Sequence, residues 1–158
     1  MKDKGVKRAV CLRRQHHPGS DIKELVRTVS NTDPHSLSTE QFCAAHLATL
    51  CLAAEEEISD SNGLGRFVNY AQLPQILIED IIPKHFLLQS EALSEHAKEN
   101  ILVVNQMYSK GRNTGKIWEE DSKLKEDTAW DELIDAADEY MLPVYKRMEA
   151  TRLITETL

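Results

Sequence analysis

Five acids crowd nine positions near the C-terminal end of the chain: Asp131, Glu132, Asp135, Asp138 and Glu139. On a helix these positions fall within a sector of about 120°, because successive residues advance by 3.6 to the turn. Like charges three and four residues apart destabilise a helix by a few tenths of a kcal/mol per pair. Only the first of them gains from the helix N-terminus. A face that carries such a cost is expected to do something for it. The chemistry it fits is recognition: a docking strip for a basic protein partner, where complementary charge gives speed and selectivity of association. The competing expectation is a solvated face with Lys or Arg from neighbouring segments close by.

A second chemistry lies in the same residues. Glu132 and Asp135 form an E-x-x-D pair, and residues three apart project to one side of a helix, as divalent-cation ligands must. All-α nucleotide pyrophosphohydrolases hold Mg²⁺ with such a pair, facing an E-E-x-x-E helix. Here Glu55, Glu56 and Glu57 stand on another segment, but Ile58 and Ser59 follow and no acid fills the fifth place. The pair also falls on the side away from the apolar stripe of its own helix. A metal-dependent phosphohydrolase acting on nucleotides is therefore the second reading, and no metal ligand or cofactor is assigned.

Cys43 and His46 are one helical turn apart, and Cys11 with His16 or His17 would complete a Cys₂His₂ set. The spacings, C-x₄-H and C-x₂-H, are not those of zinc fingers. The same Cys and His could also serve nucleophilic catalysis, whereas a thiol in a core is the ordinary use of such a residue. Gly111 to Lys116 looks like a phosphate loop but is one residue short, has Ile117 in the Ser/Thr place and follows a helix rather than a strand. It reads as a basic turn.

Charge is unevenly distributed. Residues 1–20 hold six Lys or Arg and one acid, about +5, while the remaining 13 bases and 25 acids leave the body at about −12. The body repels phosphates. The basic arm, with Lys4, Lys7, Arg8, Arg13 and Arg14, is a third candidate, a tether touching nucleic acid non-specifically. It has no aromatic residue for base stacking.

The elements that must position these groups are helices. The chain has 158 residues, 41% of them hydrophobic, with 6 Gly and 5 Pro. Three cysteines make no secreted disulfide framework. No signal peptide is legible, and the longest apolar run, Phe42 to Ala54, is short of the roughly 20 residues a bilayer needs. These features predict a cytoplasmic protein with reduced thiols and no membrane span, and leave a homo-oligomer open. Asp21 with Glu24, and Ser38 with Gln41, read as capping boxes. The helix after Ser38 is apolar on every side to about Ile58, as expected of a buried central helix. Helical spacing marks Gln75–Ile82, with Pro83 ending it, while so short an apolar run also admits a strand; a further helix runs from Ser90 to about Tyr108. Residues 109–127 are a long connection, partly helical around 118–125. Thr128 caps a last helix with a stripe of Trp130, Leu133, Ile134, Ala137, Met141, Val144 and Met148, kinked at Pro143. The expected fold is all-α: a basic arm over 1–20, then one domain over 21–158, a bundle of about five or six helices. The expected function is a non-catalytic protein-binding module of the inhibitor, immunity or adaptor type.

Overall fold

A computed structural model describes residues 11, 15–62, 64–86, 93–107, 115–119 and 121–152. The fold is all-α, with six α-helices and no strand among the described residues. No described helix is long and apolar enough to cross a membrane. The chain divides into two compact units, residues 1–66 with 128–151, and residues 67–127 with 152–158.

The first unit begins with α1, Ser20–Val29. Its N-cap is Gly19, a tolerated capping residue, so Asp21 sits inside the first turn instead of capping it. Ile22 and Val26, four residues apart, are its buried stripe. Asn31 ends it with φ of 52° and donates its amide to the Val26 carbonyl at 3.1 Å, a left-handed stop.

α2, Thr39–Asp60, starts on the capping box read from the sequence. The Gln41 amide donates to Ser38 Oγ at 3.1 Å, and the Ser38 amide donates to Gln41 Oε1 at 3.1 Å. α2 is the central element of this unit, packing against α1 and against the final helical stretch, residues 131–151. Ala44, Ala45 and Ala48 form its buried face with Phe42, and their small side chains let neighbours approach closely. Burial on every side does not follow, because its neighbours within the unit all lie on that face. On the opposite face Leu47 is 51% and Leu50 55% exposed.

The chain returns through α5, Asp131–Ala136, and α6, Leu142–Thr151, with a π-helical turn, Ala137–Met141, joining them into one continuous helix. Pro143 lies just beyond that turn. It has no N–H to donate to the Glu139 carbonyl, and the wider hydrogen-bond spacing of a π turn absorbs the irregularity. The turn also resets the helical phase, which corrects the predicted stripe. Ala136, Tyr140 and Val144 are the buried residues, while Trp130, Leu133 and Ile134 lie largely open. The helix starts after Trp130, not at Thr128.

Residues 64–69 have no regular secondary structure and lead into the second unit, where Asn69 caps a 3₁₀ turn, Tyr70–Gln72. Leu77–His85 is π-helical and runs through Pro83, which does not end it. Buried Asp80 is paired with Lys84 at 2.6 Å. α3, Glu95–Asn105, is capped by Ser94, which accepts from the Ala97 amide at 3.2 Å; the expected cap, Ser90, lies outside the described residues. Met107 bridges to Ile117, and α4, Ser122–Asp127, occupies the end of the predicted connection.

Candidate functional site

The acidic residues are positioned by the first two turns of the final helix. α5 has no side-chain cap at Trp130, but Asp131 and Glu132 in its first turn face the partial positive charge of the open amides. Asp131, Glu132, Asp135 and Asp138 are all exposed, and none of them is in an ion pair among the described residues. Glu139 is different. It is half-buried and accepts a hydrogen bond from Gln41 Nε2 at 3.2 Å. Gln41 thus caps α2 with its oxygen and holds the final helix with its nitrogen, and Glu139 is committed to that contact.

Beside the four free acids stands an open apolar set. Trp130 is 53%, Leu133 37% and Ile134 44% exposed. Leu133 and Ile134 lie on α5 among the acids, and Trp130 stands at its N-cap, immediately before Asp131. The sequence put all three on one apolar stripe, because a constant 3.6-residue repeat carries the stripe of Val144 and Met148 back to Trp130, and it left open whether Trp130 is a core residue or an interface anchor. The π turn breaks that repeat.

The rest of the final helix fixes this face to the unit. Tyr140 is buried, and its hydroxyl meets Ser30 Oγ at 2.9 Å. Burial pushes the phenol pKa up, the hydrogen bond with Ser30 works against that, and the neighbouring Glu139 raises it again. Arg147 grips Glu55, donating from Nε to Oε1 at 3.1 Å and from Nη2 to Oε2 at 3.0 Å. Neither Tyr140 nor Arg147 stood out in the sequence. The signal was there in Ala136, Tyr140 and Val144, each four residues after the last.

The metal reading draws on acids of a second helix. Glu55 is taken by Arg147, and no group of three or more His, Cys, Asp or Glu that could hold a metal ion comes together among the described residues. Glu132 and Asp135 are on the exposed side. The cysteine expectations are corrected outright. Cys11 and Cys43 form a disulfide with their Cα atoms 5.3 Å apart, so neither sulfur is a thiolate for zinc or for nucleophilic attack. The pairing escaped the sequence reading because an odd cysteine count names no partners. Cys51 is the free, half-buried thiol, and His46, three residues after Cys43 on α2, is also half-buried. Lys4, Lys7, Arg8, Arg13 and Arg14 lie outside the described residues, as do residues 111–114 of the loop ending at exposed Lys116. Compared with protein families, with curated proteins and with solved structures, the chain matches none.

Proposed function

We propose that the protein is a non-catalytic binding module whose α5 face receives a basic segment of a partner protein. The observation that carries this reading is the exposure of Trp130, Leu133 and Ile134 against four unpaired acids. Interface energy concentrates in a few aromatic and aliphatic anchors, while surrounding charges steer encounter and exclude wrong partners. An acidic strip alone would be a solvated surface. An acidic strip bordering an open tryptophan has the composition of an anchor with its steering charges.

The partner is expected to present Lys or Arg around an apolar pocket that accepts the indole ring. Tagged full-length chain, used as bait in native lysate at low and moderate salt, tests this. The expected outcome is a stoichiometric basic partner that is lost with Asp135→Lys/Asp138→Lys. Trp130→Ala is expected to weaken the purified pair by about 2 kcal/mol or more, as for a hot-spot residue. All variants should keep the wild-type unfolding midpoint. Retention of the partner by the charge-reversed protein at moderate salt would refute the reading.

The cytoplasmic location inferred from the sequence rested in part on an odd, sparse set of cysteines, and the Cys11–Cys43 bond withdraws that part of its support. Structural disulfides persist in oxidising compartments and are rare in reducing ones, so the environment we propose is oxidising. Trapping free thiols by alkylation in intact cells, followed by mass analysis, reads the state directly: a single modified cysteine, Cys51, supports it, and three modified cysteines overturn it.

A further inference from the structure

A groove of about 520 Å³ runs between α1 and α2 in the first unit, closed at its base by α6. It shares no lining residue with the α5 face and does not depend on that reading. Its floor is aliphatic, with Leu25 and Val29 from α1, Leu52 from α2 and Val144 from α6. Leu25 and Leu52 are only partly covered, and Val29 is 42% exposed. The walls are of one charge: exposed Asp21 and Glu24 on α1, exposed Glu56 on α2. Among the described residues the one cation in the lining, Arg147, is already held by Glu55 and leaves those carboxylates uncompensated.

We infer that this groove is a second docking site, and that its occupant is a cationic amphipathic helix of a partner protein. The shape argues for a helix. Lining residues on α1 extend from Asp21 to Val29 and on α2 from Thr49 to Glu56, about 10 to 12 Å along each wall at 1.5 Å per residue, or about two helical turns. Helix-in-groove recognition sets apolar anchors at i, i+3, i+4 and i+7 on such a floor. The charge argues for flanking Lys or Arg. A helix lying between the two walls puts the residues beside its apolar stripe against Asp21 and Glu24 on one side and Glu56 on the other. A neutral helix would leave those acids partly desolvated without a partner, and an acidic one would be repelled.

The test uses a fluorescein-labelled synthetic peptide of about 15 residues, made of Leu and Lys only, with Leu at i, i+3, i+4 and i+7 spacing. The control has the same composition with Leu and Lys strictly alternating, a pattern that makes no helical stripe. Anisotropy against the full chain reads affinity, and methyl NMR reads location. The helical peptide is expected to bind at least about tenfold tighter than the alternating one, a margin of the size that one anchor residue supplies. Its shifts should centre on Leu25, Val29, Leu52 and Val144. Glu24→Lys/Glu56→Lys should weaken binding about tenfold or more, since removing and reversing charge at a rim costs on-rate and affinity together. Asp135→Lys/Asp138→Lys should leave it unchanged. Val29→Asp, at an exposed position, is a second variant expected to abolish binding without loss of helicity by circular dichroism. Equal affinity for the two peptides, methyl shifts away from the groove, or binding that survives both groove variants would each overturn the proposal.

Discussion

Tyr140 shows how one residue ties chemistry to stability. Burial pushes its phenol above the ordinary value of about 10. The bond with Ser30 opposes the shift, and Glu139 adds to it. The native state therefore prefers the neutral phenol more strongly than the unfolded chain does. That contribution is complete below pH about 10 and is lost as pH rises through the higher native value. Tyr140→Phe is expected to cost about 1 kcal/mol at pH 8, the usual worth of one hydrogen bond. Above pH 10 the wild-type urea midpoint should fall faster than that of the variant, closing the gap between them. Parallel curves would mean that the phenol titrates alike in the folded and the unfolded chain. This residue was hidden in the sequence because the predicted stripe ran through Ala137 and Met141. The acids fared better: four of five are exposed as a helix face should be, and Glu139 alone was diverted, by a glutamine nearly a hundred residues away that no local pattern could reveal.

Elements were legible where their signals are local. The Ser38 and Gln41 box fixes the start of α2 to the residue, since both partners lie within one turn and no tertiary contact is needed to specify them. Ser38→Ala should cost about 1 kcal/mol of stability. Gln41→Ala should cost more, because Gln41 loses both the box and its bond to Glu139. A thermal scan of the two variants checks that order, and equal losses would mean that the Gln41–Glu139 bond contributes nothing. Elements were illegible where the backbone leaves the α-helical repeat. Pro83 read as a stop, yet π-helical geometry carries the chain past it, whereas at Pro143 the continuous helix read from the sequence stands, with a π turn just before it. A π turn has no signature in residue type, and one such turn is enough to rotate every downstream position relative to those before it. The outward face of α2 failed for a different reason. An apolar periphery predicts burial only if neighbours surround it, and the number of neighbours is not a property of the helix.

At the scale of the whole molecule, α1 and α2 are held to the final helix by few large groups. Phe42, Tyr140 and Val26 are the largest fully buried side chains of the first unit, and the rest of its core is mostly small aliphatics. A core of that kind gains from a covalent tie. The Cys11–Cys43 bond spans 32 residues and encloses all of α1 together with the start of α2. Closing a loop of this length removes disorder from the unfolded chain worth about 3 to 4 kcal/mol in the chain-entropy account. A single domain is stable by only about 5–15 kcal/mol, so the bond is a large fraction of what holds the unit folded. Reduction with a thiol reagent is expected to lower the denaturant midpoint of the wild type by an amount equivalent to about 2–4 kcal/mol. A Cys11→Ser/Cys43→Ser protein should match the reduced wild type and be indifferent to the reagent, while Cys51→Ser should behave as the wild type in both states. A wild-type midpoint that does not move on reduction would mean that the helices close the loop by packing alone, and α1 would then keep its seat on α2 whatever the redox state around it.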